Sequence, residues 1–101
     1  DALLQRLDEG VRSMNAKLVV ALLPGRSFVH DPDGYSGQYQ DYIRRLIIER
    51  LETKGISTLD FGSKLRARFY KGETDIYFPH DGHLTVNGHR IVADILEQEL
   101  P

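Results

Sequence analysis

The hydrophobic pattern predicts a helix followed by a buried strand at the start of the chain. Between residues 2 and 14, apolar side chains recur every three or four positions, as on one face of an amphipathic helix. The next run, K-L-V-V-A-L-L-P at residues 17–24, is continuously apolar, which is typical of a strand that helices cover on both faces. Residues 26–37 contain enough Gly, Pro, Asp and Ser to predict a long loop.

The same alternation continues through the second half of the chain. An apolar stripe over residues 38–54 predicts a second long helix, and I-S-T-L-D-F at residues 56–61 predicts a short strand. A short helix is expected from Gly62, and a brief extended piece over residues 75–78. Thr85 is a good N-cap for a last helix that ends at Leu100. The long helical connection between the two strands permits a parallel pair.

Alternating helices and buried strands predict an α/β fold, specifically a three-layer α/β/α sandwich with a small parallel, flavodoxin-like sheet. Only two convincing strands and one weak strand are present, whereas open sheets of this kind carry about five or six. We therefore expect residues 1–101 to be one α/β domain that is the C-terminal portion of a larger domain. A missing N-terminal half of the same domain, or a second copy of the chain, would then complete the sheet.

Composition narrows the possible functions. The 101 residues include 13 basic and 15 acidic residues, a net charge of −2, so no broad basic surface is expected to attract nucleic acid. The chain has no cysteine, which excludes disulfides, thiolate zinc sites and cysteine nucleophiles. No stretch approaches the roughly 20 apolar residues of a membrane-spanning helix.

The strongest candidate chemistry lies in D-I-Y-F-P-H-D-G-H-L-T-V-N, residues 75–87. Asp81 and His83 are two residues apart, so around a bend at Gly82 their side chains can leave the same side of the backbone. A carboxylate beside an imidazole fixes the ring tautomer and stabilises the imidazolium, as in the base half of a serine triad. D-x-H is a short motif, however, and the plain alternative is a turn-capping Asp next to a surface His.

Three further residues lie at the same predicted edge of the sheet. Arg26 follows the first strand and could bind an anionic substrate group, or be a solvated loop cation. Ser27 could display a nucleophile, but it lacks a G-x-S-x-G elbow and is expected to make a turn hydrogen bond. Asp60 ends the second strand, and a capping or turn role is expected for it.

Two other hypotheses concern a metal site and an aromatic binding surface. Four residues near the last helix could hold zinc only if a favourable fold brought them together, and we expect scattered histidines and no metal site. These residues are His80, Asp81, His83 and His89. Tyr35, Tyr39 and Tyr42 could form a platform for sugars or bases, but they are expected to pack in the core or the loop.

The block F-P-H-D-G-H-L-T-V-N-G-H-R-I-V-A-D-I-L at residues 78–96 resembles the last block of SGNH (GDSL-type) hydrolases and related O-acyltransferases. The upstream L-V-V-A-L-L-P and G-I-S-T-L-D-F segments are similar to the strands before that block. In this family an Asp and a His near the C-terminus complete a triad with a Ser near the N-terminus of the domain. The resemblance therefore implies that Asp81 orients His83 and that His83 is the general base.

The sequence also departs from the family. Many members have D-x-x-H. The D-x-H spacing is more like the alginate and peptidoglycan O-acetyltransferase branch, where Trp often follows the His and where this chain has Leu84. The G-D-S block and the Gly and Asn blocks that supply oxyanion donors are not in this sequence. The resemblance implies that they precede Asp1, and that the chain has no esterase activity alone.

The resemblance further implies a substrate class and a location. The substrate would be an ester or an acetylated glycan, the acyl group would pass through a covalent serine intermediate, and no cofactor would be needed. An extracytoplasmic location is implied by the acyltransferase branch. The alternative hypothesis is a non-catalytic α/β module that self-associates or binds a protein partner through its exposed sheet edge.

Overall fold

A computed structural model describes residues 2–100. This part of the chain is a mixed α/β fold with five helices and two strands. In chain order the elements are α1 (Ala2–Ser13), β1 (Val19–Leu22), α2 (Arg26–His30), α3 (Tyr35–Thr53), β2 (Ser57–Asp60), α4 (Phe61–Tyr70) and α5 (Val86–Glu99).

The two strands form a small parallel sheet, as the sequence predicted. Val19 pairs with Ser57 and Leu22 pairs with Asp60, so both strands end at the same edge. The predicted weak third strand is not part of this sheet. Within the described residues, Tyr77 forms only a single antiparallel bridge with Leu84.

The prediction of one long loop over residues 26–37 is wrong. This segment contains the helix α2, and α3 begins at Tyr35 rather than at residue 38. Phe28 on α2 is buried in the core, and this packing supports a helix that local composition does not favour. Gly37 lies inside α3, where a Cβ atom would come within 2.3 Å of the Asp31 carbonyl oxygen. The glycine therefore permits a close approach of two segments and does not mark a turn.

The hydrophobic core lies among α2, β2, α4, α5 and the segment that carries Ile76. Its fully buried side chains are Phe28, Val29, Leu65, Ile76 and Ile91. The strand β1 contributes little, because Val19 is 37% exposed and Leu23, just after the strand, is 52% exposed. The expectation that helices cover β1 on both faces is therefore not met by the described residues.

The first helix confirms the predicted amphipathic pattern but leaves its apolar face uncovered. Leu3 and Leu7 are 76% and 50% exposed, and α1 has no buried residue. The Arg12 side chain connects α1 to the body by donating a 3.3 Å hydrogen bond to the Gly55 carbonyl. Across residues 2–100, no helix combines the length and apolar character needed to cross a bilayer.

Candidate active site

The Asp81–His83 segment lies at the tip of a closed loop. The amide of Phe78 donates a 3.1 Å hydrogen bond to the carbonyl of His83, and the amide of Thr85 donates a 2.9 Å hydrogen bond to the carbonyl of Ile76. These bonds close residues 78–83 into a compact segment, called here the DGH turn. The turn is solvent-exposed at its tip, while the residues on which it stands are buried.

The base of the DGH turn is tied to the end of β1. The Tyr77 hydroxyl donates a 2.6 Å hydrogen bond to the carbonyl of Pro24, two residues beyond β1. Tyr77 is 3% exposed, and burial raises its pKa to about 12, so the hydroxyl keeps its proton and remains a donor. This bond places the turn beside the carboxyl end of β1, where open α/β sheets form their sites.

The other side of the turn is fixed to the start of α5. Thr85 is the N-cap, as predicted: its hydroxyl accepts a 2.9 Å hydrogen bond from the Gly88 amide. The same hydroxyl lies 2.8 Å from the Asp75 carbonyl, to which it can donate. A Cβ atom at Gly88 would lie 2.1 Å from the Ile76 carbonyl oxygen. Glycine therefore allows α5 to pack directly on the segment before the turn.

Within the turn, Asp81 and His83 are hydrogen-bonded. Oδ1 of Asp81 accepts a bond from the His83 ring nitrogen Nδ1 and a 2.9 Å bond from the His83 amide. The bond from the His83 side chain, followed by the bond from its amide, holds the pKa of Asp81 below its usual range. The bend at Gly82 therefore brings the two side chains to the same side of the backbone, which the spacing allows.

This geometry defines the tautomer of the imidazole. An ionised carboxylate can only accept hydrogen bonds, so Nδ1 of His83 carries a hydrogen, and in the neutral form of the ring Nε2 holds the free lone pair. The His83 side chain is 84% exposed, which makes Nε2 accessible to a group outside the described residues. The pair can therefore orient a base that takes a proton from an incoming hydroxyl.

No described hydroxyl is hydrogen-bonded to His83. Ser27 lies in α2 and not in a loop, and its Oγ is 2.7 Å from Oγ of Ser36. It also accepts a 2.8 Å hydrogen bond from the Gln40 side chain. These bonds hold together the start of α2 and the start of α3. The hydrogen bonds of Ser27 therefore have a structural role. Among residues 2–100, no nucleophile is hydrogen-bonded to the Asp81–His83 pair.

Arg26 is the first residue of α2, at the same end of the sheet as the DGH turn. No hydrogen bond or ion pair joins it to Asp81 or His83 among the described residues. Its Nε atom is buried without a hydrogen-bond partner in this part of the structure. A role in binding an anionic group therefore remains a hypothesis for Arg26.

His30, one helical turn after Arg26, was not identified from the sequence. Its ring packs 4.8 Å from that of Phe69 and 5.7 Å from that of Tyr77, so it supports the tyrosine that anchors the turn. Burial, and then the charge of Arg26, lower the pKa of His30, while Asp75 acts in the opposite direction. Arg26 and His30 are four residues apart, which places them one helical turn from each other. The effect of the Arg26 charge on His30 could therefore have been expected from the sequence if the helix α2 had been predicted.

The remaining candidates from the sequence are Asp60 and the possible metal ligands. Asp60 is the N-cap of α4 and accepts a 3.1 Å hydrogen bond from the Gly62 amide, which confirms the predicted capping role. It also pairs with Arg44 at 2.5 Å. No group of three or more His, Asp or Glu residues among positions 2–100 could hold a metal ion.

The tyrosines of α3 are exposed on a helix, so the prediction that they pack in the core or the loop is wrong. Tyr35, Tyr39 and Tyr42 are 90%, 58% and 62% exposed. The side of α3 that faces the protein body is occupied instead by residues such as Leu51 and the half-buried Arg44.

Comparison with protein-family profiles, with curated proteins and with solved structures gave no significant match. The likeness to SGNH hydrolases therefore rests on the residues of the DGH turn and its flanking elements.

Proposed function

We propose that this chain is the C-terminal part of a serine esterase or O-acyltransferase of SGNH type. Asp81 is the orienting carboxylate and His83 is the general base of a Ser-His-Asp triad whose serine lies outside this sequence. The observation that carries the proposal is the bonded pair itself: Asp81 holds Nδ1 of His83, and Nε2 is left accessible.

The proposed chemistry follows from that pair. Nε2 of His83 takes the proton from the serine hydroxyl as its oxygen attacks the ester carbonyl, and then gives a proton to the leaving alcohol. Asp81 stabilises the imidazolium between these steps. The acyl group then passes from the serine to water or to a second alcohol, and no cofactor is needed.

The uncovered side of the sheet supports a missing N-terminal half. Among the described residues, β1 has β2 as its single strand neighbour, and a groove of about 400 Å³ lies between β1 and α3. This groove is mostly apolar, with Leu22, Leu23 and Ile43 in its lining. A further strand paired with β1 would cover it, and helices on both faces would complete a three-layer, flavodoxin-like sandwich.

The substrate in this proposal is an ester or an acetylated glycan, and the acyltransferase resemblance favours an extracytoplasmic protein. Arg26, at the carboxyl end of β1, would bind an anionic group of the substrate. His83 is followed by Leu84, where the acyltransferase branch often has Trp. The sequence therefore does not favour a transferase over a hydrolase, and the Asp81–His83 pair fits both activities.

A fluorophosphonate probe, which labels activated serines, tests the proposal. We expect it to label the product of the coding region that extends upstream of Asp1, and His83→Ala to abolish this labelling. His80→Ala is the matched control, because His80 is an exposed histidine of the same turn that does not bond Asp81. Absence of labelling in the wild-type product would refute the proposal.

The chain alone provides a second test. We expect no saturable hydrolysis of p-nitrophenyl acetate by residues 1–101, because no described hydroxyl is bonded to His83. Saturable hydrolysis that His83→Ala removes would show that the nucleophile lies within this chain and would contradict the proposed division of the triad.

The uncovered β1 edge also favours a second candidate, a non-catalytic module that self-associates. In that case β1 would pair with β1 of another copy, and light scattering would give the mass of a dimer. Val19→Lys, which adds a charge to an exposed strand position, would convert the dimer to a monomer. A wild-type chain that is monomeric at high concentration would exclude this candidate.

A further inference from the structure

A polar groove lies between α3 and α4, separate from the DGH turn. Its volume is about 460 Å³, and no residue of the turn lines it. The helix α3 forms one wall and α4 forms the other, while the segment between α2 and α3 closes one end. The side chains that matter for recognition are Asp33, Gln38, Tyr42, Arg66 and Tyr70.

Each wall of the groove carries an exposed aromatic ring. Tyr42 on α3 is 62% exposed and Tyr70 on α4 is 71% exposed. The ring of Tyr70 meets that of Phe69 edge to face, with centroids 6.1 Å apart, which restricts its orientation. Exposed aromatic faces of this kind suit a ligand that has an apolar face of its own.

The groove also offers hydrogen-bonding groups that the protein does not use. Arg66 donates through Nε to the Phe28 carbonyl at 2.8 Å and lies 3.6 Å over the Phe28 ring, so its terminal nitrogens are fixed but unbonded in the described structure. The Gln38 amide nitrogen bonds the backbone carbonyl of Asp33 at 2.8 Å, which leaves its side-chain oxygen as an acceptor. The carboxylate of Asp33 adds further acceptors.

The charged side chains that line the groove have no net charge. Two arginines and two aspartates line the groove, and Arg45 pairs with Asp41 at 2.8 Å. A phosphate or carboxylate would gain no net attraction here. A neutral sugar ring has an apolar C–H face to stack on tyrosine and hydroxyls that both donate and accept hydrogen bonds.

We infer that this groove binds a neutral pyranose unit of an oligosaccharide. The inference does not rest on the proposed esterase activity, since none of its residues belongs to the DGH turn. If both hold, the groove retains a glycan chain while the ester reacts elsewhere.

Saturation-transfer NMR and calorimetry with chitotetraose, cellotetraose and maltotetraose test the inference. We expect at least one of these neutral probes to bind the chain, and Tyr42→Ala or Tyr70→Ala each to weaken its binding about tenfold or more. Tyr35→Ala is the matched control: Tyr35 is 90% exposed and lies outside the groove, so its removal is expected to change affinity less than twofold.

The outcomes are distinct. Absence of binding by all three sugars, or binding that the Tyr42 and Tyr70 variants leave unchanged, would overturn the inference. Tighter binding of a mannuronate tetrasaccharide would also overturn it, because the groove would then select an anion. His83→Ala is expected to bind the sugar normally, so loss of esterase chemistry and loss of glycan binding are separable. Both tyrosines are exposed, and circular dichroism checks that the variants fold.

Discussion

The hydroxyl of Tyr77 donates a 2.6 Å hydrogen bond to the carbonyl of Pro24, a residue 53 positions earlier in the chain. This single bond joins the segment before the DGH turn to the end of β1. It explains how the bonded Asp81–His83 pair, in an exposed turn, is held at one edge of the sheet although the turn itself contributes little to the core.

Tyr77→Phe tests this link. The substitution keeps the ring against His30 but leaves the Pro24 carbonyl without its donor, so we expect a loss of about 1–2 kcal/mol in the free energy of unfolding. Urea unfolding measures the loss. Tyr35→Phe, at an exposed position, is expected to leave stability unchanged. Equal stability of the two variants would show that the Tyr77 bond does not hold the turn.

Gly88→Ala tests the packing of α5 on the turn. An added Cβ would lie 2.1 Å from the backbone oxygen of Ile76, which cannot move aside as a side chain would. We expect a loss of about 1–3 kcal/mol in unfolding free energy. Gly10→Ala is the matched control, since nothing lies within 4 Å of its Cβ position in α1, and Ala there should be neutral or stabilising by about 0.5–1 kcal/mol. Similar effects at both sites would contradict the packing argument.

Local signals in the sequence were sufficient for much of the site. The Asp81–His83 spacing indicated that the two side chains could meet, and a capping role for Thr85 and a capping or turn role for Asp60 were predicted from residue type alone. These features depend on residues close in sequence, where backbone geometry restricts the choices. The parallel pairing of β1 and β2 also followed from a long helical connection.

Features that depend on distant residues were not predictable. The helix α2 forms because Phe28 and Val29 enter the core, and local composition favoured a loop instead. The bond from Tyr77 to Pro24 has no signature in either segment. The exposed tyrosines of α3 were predicted to pack in the core or the loop, because periodicity identifies an apolar face without showing what covers it.

We expect His30 to make the stability of the fold depend on pH. Because burial and Arg26 lower the pKa of His30 from 6.5, the unfolded chain takes up the proton first as pH falls. Asp75 opposes this shift without reversing it. Stability should therefore decline as pH drops below 6.5 and stop declining once folded His30 is also protonated. Urea unfolding at about pH 8 and about pH 5 measures the slope, and His30→Gln is expected to flatten it.

An exposed histidine provides the control for that measurement. His89→Gln removes a solvent-accessible imidazole on α5 and should leave the pH slope of the wild-type protein intact. A slope that survives in the His30→Gln variant would assign the pH dependence to another group.

The Asp81–His83 bond can be tested by titrating the carboxylate itself. Hydrogen bonds from His83 keep the pKa of Asp81 below 3.8, so any stability that the pair contributes is present above that value and is lost as pH falls through the lowered pKa. We expect His83→Ala to raise the pKa of Asp81 toward its ordinary value, measured by carbon NMR of the carboxyl group. His80→Ala is expected to leave it unchanged. An Asp81 pKa that is insensitive to His83→Ala would show that the ring is not held by this carboxylate, and the proposed base would then lack its orienting partner.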